Sequence, residues 1–91
     1  MNPEISRQIS KQYLLIEEIE LQILELELLD LKTREDKAED ELWGFDYSVE
    51  VGNLMDELKT QIGIVESEIE DKKEEIQRSK EELEDLEAAM L

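Results

Sequence analysis

The chain is 91 residues long and carries 27 Asp and Glu against 10 Lys and Arg, a net charge of −17. It has no Cys and no His, three Gly and one Pro. Those counts exclude a disulfide scaffold, a Cys/His zinc site, a Ser-His or Cys-His catalytic pair and a basic nucleic-acid-binding surface.

In chain order, Pro3 suits the first position of a helix, with Asn2 as N-cap and Glu4 favourable against the helix dipole. No Gly or Pro interrupts the residues from there to Trp43, and Gly44 stands where a helix commonly ends. The expectation is a helix over about 3–43, a turn over about 44–48 and a second helix over about 48–91, as one domain. Each helix would be roughly 60 Å long at 1.5 Å per residue. Matched lengths around a short turn predict an all-α antiparallel two-helix coiled-coil hairpin.

The first half carries two apolar stripes. At about 100° per residue, Leu15, Ile16, Ile19, Ile23 and Leu26 fall on one face. Leu14, Leu21, Leu24, Leu28 and Leu31 fall on another, with centres roughly 160° apart. One partner helix cannot cover two opposed faces, so self-association into a helical bundle is expected, most simply a dimer. Leu14, Leu21 and Leu28, or else Ile16, Ile19 and Ile23, would form the contact between chains. The segment from Ile19 to Leu28 also alternates like a strand, but Leu and Glu favour helix and no turn residues bound it.

The second half repeats cleanly. Met55, Ile62, Ile69, Ile76, Leu83 and Met90 recur every seventh residue, and Leu58, Val65 and Leu86 occupy the companion position. Lys72 and Ser79 interrupt that companion position, either as tolerated polar residues or as a device that sets register. Glu68 with Lys72, and Glu74 with Arg78, have the spacing of helix-supporting ion pairs. Gly63 lies inside this helix beside Ile64, which points off the seam; it is either incidental or a close-contact point for another chain.

Little here suggests catalysis. Acidic pairs abound, but a thin hairpin offers no concave site to hold two carboxyls across a substrate. The turn offers Asp46, Ser48, Glu50 and Glu57 at four calcium-loop positions, yet Val51 occupies the place that needs Gly. No enzyme activity, metal or cofactor is expected.

The candidates for binding a partner are of two kinds. Trp43, Phe45 and Tyr47 cluster at the turn and, with Ile64, form an apolar set. They would otherwise simply plug the end of the bundle. The acids Glu66, Glu70, Asp71 and Glu74, and above all Glu81, Glu82, Glu84 and Asp85, form a charged one. Seventeen net charges over a rod of this length give about one per 3.5 Å, against about one per 1.7 Å for duplex DNA. A dimer approaches the duplex value.

The function expected is therefore that of a non-catalytic acidic protein that oligomerises and binds another protein as assembly factor, adaptor or inhibitor. The alternative is an inhibitor that mimics nucleic acid and occupies a basic cleft of its target. Direct nucleic-acid binding is not expected at this charge. Nor is membrane insertion, because six acids interrupt the most apolar stretch, Leu14 to Leu31, at roughly 2.5–3.5 kcal/mol each. The opening Met1-Asn2-Pro3-Glu4 lacks the basic and apolar regions of a signal peptide, and the lack of Cys suits a reducing compartment. A cytoplasmic protein is expected.

With Trp43-Gly44 at its turn, a hairpin of this length resembles in outline the Trp-x-Gly hairpins of type VII secretion. The intervening residue of that motif is missing. Ala88-Ala89-Met90-Leu91 does not carry the family's Tyr-x-x-x-Asp/Glu export string, while Tyr13 to Glu17 fits it inside the first helix. The resemblance therefore extends to shape and the turn dipeptide alone. In style the chain is also similar to small acidic coiled-coil proteins of phages and other mobile elements.

Overall fold

The computed structural model describes residues 2–42 and 49–90, with side chains over 2–40 and 52–90. It comprises two helices, α1 (Pro3–Leu42) and α2 (Val49–Ala89), packed against each other in a rod 67 Å long and 17 × 14 Å across. The start of α1 is capped as its sequence suggests: the Glu4 N–H donates to Asn2 Oδ1 at 2.9 Å, and the Ser6 N–H donates to the Asn2 carbonyl at 3.1 Å. At the far end of α2, the Met90 N–H donates to the Glu87 carbonyl at 3.2 Å, a tightened final turn. No helix among the described residues is long and apolar enough to cross a membrane.

The core is one seam. Met55, Leu58, Ile62, Ile69 and Ile76 are buried, and Val65, Lys72, Ser79, Leu83 and Leu86 continue the line half-buried. Facing them from α1 are Leu14, Leu21, Leu24, Leu28 and Leu31, all half-buried, while Leu15, Ile16, Ile19, Ile23 and Leu26 remain exposed. The leucine stripe is thus taken up within the chain, which settles an assignment that two stripes of equal spacing leave open.

Among the described residues three side-chain hydrogen bonds cross the seam and report its register. Arg7 Nε donates to Glu87 Oε1 at 3.3 Å, Lys72 Nζ to Glu20 Oε2 at 3.0 Å, and Ser79 Oγ to Glu17 Oε1 at 2.8 Å. They make the helices antiparallel and bring Leu24 level with Ile69, Leu31 with Ile62, Leu21 with Lys72 and Leu14 with Ser79. Each polar residue of the α2 seam therefore faces a leucine and reaches sideways to an acid. A slip of one heptad towards the turn would offer Lys72 the equivalent Glu27 but leave Ser79 beside Leu24. The Ser79–Glu17 contact distinguishes the two registers, at a cost: Glu17 Oε2 is buried with no partner among the described residues, a penalty of about 1–3 kcal/mol.

Lys72 also contacts Glu75 at 3.0 Å, and only 17% of its side chain is exposed. The expected pairing with Glu68 is replaced by these two contacts, because the seam position turns the ammonium towards α1. Among the described residues Arg78 makes no ion pair with Glu74, whereas Lys73 lies 3.8 Å from Glu70 and Arg34 3.0 Å from Asp30. The hydrogen bonds from Lys72 to Glu20 and then Glu75 raise its pKa above the ordinary 10.5. Its contribution to stability is therefore complete below that ordinary value and is lost as pH rises through the higher folded-state value. A Lys72→Met chain should show a weaker fall in melting temperature on alkaline titration than the parent; equal falls would show that the pair does not contribute.

A Cβ built on Gly63 meets nothing within 4 Å, and the position is exposed. Gly63→Ala should raise stability by about 0.5–1 kcal/mol, seen as a higher urea midpoint with an unchanged slope.

Candidate functional site

Two surfaces stand out. The first is the face of α1 turned away from α2. Ile16, Ile19, Ile23 and Leu26 continue towards the N-terminus through Gln12, Ile9 and Ile5, giving alternating steps of three and four residues, the spacing of a coiled-coil seam. The six apolar members are 43–65% exposed, and Tyr13, Leu15 and Leu29 beside them are 50–62% exposed. No charged residue occupies the seam from Ile5 to Leu26 or the flanking line of Gln8, Leu15, Gln22 and Leu29. A shallow groove of about 660 Å³ runs along its N-terminal part, lined by Ile5, Ile9, Gln12, Tyr13 and Ile16 among others. Another, of about 460 Å³, lies between Gln22, Glu25, Leu26 and Leu29. Ile5 and Ile9 belong to this face by the same spacing that exposes Ile16 and Ile23; they were legible in the sequence once the pattern was followed back beyond Leu14.

The second surface is the open end, where the N-terminal turn of α1 meets the last turns of α2. Glu81, Glu82, Glu84 and Asp85 are exposed there. Of the bases on α1 nearby, Arg7 lies 3.0 Å from Glu4 and 3.3 Å from Glu87, and Lys11 lies 3.9 Å from Glu87; Arg78 and Lys80 border the acids on α2 itself and are exposed. Glu81 accepts one hydrogen bond from Gln77 Nε2 at 3.3 Å. Among the described residues, none of these four acids has an ion-pair partner. Glu66, Glu70, Asp71 and Glu74 extend the exposed acidic surface along α2.

The remaining candidates are dispersed. Ile64 is exposed on α2, away from both surfaces. Trp43, Phe45 and Tyr47 lie outside the described residues, as do Asp46 and Ser48 of the calcium-loop positions. Among the described residues no group of three or more acids is placed to hold a metal ion.

Comparison with models of protein families, with curated proteins and with solved structures finds no match to this chain.

Proposed function

We propose that this chain is a non-catalytic, cytoplasmic interaction protein: an acidic helical hairpin that associates with copies of itself and docks another protein as assembly factor, adaptor or inhibitor. The observation that carries the reading is the unequal use of the two faces of α1. The leucines lie against α2, while a second, equally regular apolar seam faces solvent. Nine large side chains, each about half exposed, leave an apolar area well above the few hundred Å² that a monomer ordinarily shows. Solubility at such a surface fits a chain that spends little time alone, with the charge of −17 limiting association to specific contacts. Sedimentation equilibrium at micromolar concentration tests this: a mass of two or more chains supports the reading, and a mass of 10.7 kDa refutes self-association.

A second reading, mimicry of nucleic acid, is favoured by the open end, where four exposed acids lack an ion-pair partner among the described residues. In that case the partner presents a basic cleft. The two readings differ in their response to salt. A complex held by charge weakens steeply as ionic strength rises and is displaced by duplex DNA, while one held by apolar contacts responds to neither.

A further inference from the structure

The exposed seam of α1 has a chemistry that selects its occupant. We infer that it is covered by the same seam of a second copy, running antiparallel, with Ile16 facing the partner's Ile19 about a two-fold axis between those positions. This rests on the self-association proposed above and adds which face, which direction and which register.

Area comes first. About half of each of nine large apolar side chains is on the order of 800 Å² per copy, what each partner of a stable interface gives up. Spacing comes second: alternating steps of three and four residues from Ile5 to Leu26 allow knobs-into-holes packing only against another helix with the same repeat. This chain holds that repeat itself, and an isologous two-fold contact needs only one self-complementary surface.

Direction follows from charge. Residues 3–16 of α1 carry Glu4, Arg7 and Lys11, a net charge of +1. Residues 17–30 carry six acids and no base. Two parallel copies would lay the acidic segments side by side. An antiparallel pair lays each acidic segment beside the near-neutral, base-containing one, which fixes orientation by complementarity.

Register follows from the seam. With Ile16 facing the partner's Ile19, Ile9 faces the partner's Leu26 and Ile23 faces the partner's Gln12, so every layer holds at least one aliphatic side chain. Leu15 then flanks the partner's Gln22, and Tyr13 lies near the partner's Glu20, so the side chains bordering the seam meet without a like-charge pair. Because this face is opposite the one that α2 covers, the four helices form a row, α2–α1–α1–α2. The acidic faces of α2 end up on its outer edges, and the two turns point in opposite directions.

The chain has no Cys, so introduced cysteines report contacts cleanly. Ile9→Cys and Leu26→Cys chains are prepared separately, mixed, and oxidised under mild conditions. The inference expects a covalent dimer from the mixture and none from either chain alone, since the two copies of position 9 lie well beyond disulfide reach in the antiparallel pair. Cross-linking within each chain alone, but not in the mixture, would mean parallel pairing; that overturns the inference and leaves self-association standing. A native chain that sediments as a monomer removes both. The seam itself is checked with Ile16→Glu, Ile19→Glu, which sets acid opposite acid. Sedimentation mass should halve, whereas an unchanged oligomer, or a dimer that forms no cross-link in any combination, overturns the inference.

Discussion

A chain carrying Ile69→Glu should lose most of its far-ultraviolet helical signal at room temperature, while Ile64→Glu should leave that signal and the melting temperature nearly unchanged. The two positions are five residues apart on the same helix and hold the same side chain. Ile69 is 6% exposed and level with Leu24, and Ile64 is 54% exposed on the outer surface. Truncating a buried isoleucine alone costs roughly 2–5 kcal/mol, and a carboxylate adds the cost of taking its charge out of water. The hairpin has little to spare. Its core contains five buried side chains among those described, and folded domains are stable by only about 0.05–0.15 kcal/mol per residue. At Ile64, which lies off the seam and is 54% exposed, little packing is lost, so the change should fall within about 0.5 kcal/mol. Comparable losses at both positions, read by circular dichroism and thermal melting, would show that the seam does not hold the helices together.

That contrast also shows what periodicity can and cannot reveal. The heptad from Met55 to Ile76 identifies the buried line of α2 directly, because an apolar residue every seventh position leaves no second face to choose. In α1 the same logic yields two stripes and no ranking between them, since Leu and Ile bury with similar gain. The information that separates them lies in the polar residues. Lys72 and Ser79 sit on the α2 seam and need acceptors, and Glu20 and Glu17 border the leucine stripe. Pairing Lys72 with Glu68 along the same helix satisfies the charge on paper but ignores that a seam lysine is turned towards the opposite helix. Met90 continues the heptad in sequence yet is 41% exposed, because the antiparallel register places only the first turn of α1 opposite it. The acidic open end was legible from the composition of α2 and the antiparallel topology. How far Arg7 and Lys11 neutralise it was not, since that depends on which carboxylate each reaches, and both contact Glu87.

Reversing Glu81, Glu82, Glu84 and Asp85 to Lys should abolish association with a basic partner while leaving the hairpin folded. Each reversal adds two charge units, so the four take the chain from −17 to −9. None of the four lies on the seam, and none has an ion-pair partner to lose among the described residues. The reversal exchanges a run of acids for a run of bases beside Lys80, so local repulsion persists, but the smaller net charge and the positive charge in the last turns of α2 should leave the melting temperature about the same. The open-end field, in contrast, should collapse, because Glu87 is the only acid left between residues 81 and 87 and it is already shared by Arg7 and Lys11. A fluorescent oligolysine peptide reads that field directly. Its affinity at low salt should drop at least tenfold in the reversed chain and be unaffected in Trp43→Ala with Tyr47→Ala. The parent's affinity should itself fade as ionic strength rises and the Debye length shortens from about 30 Å at 0.01 M to about 8 Å at 0.15 M. A protein partner that follows the oligolysine pattern docks on charge at the open end. One that survives the reversal but is lost with Trp43 and Tyr47 docks at the turn, and mimicry of nucleic acid is then refuted.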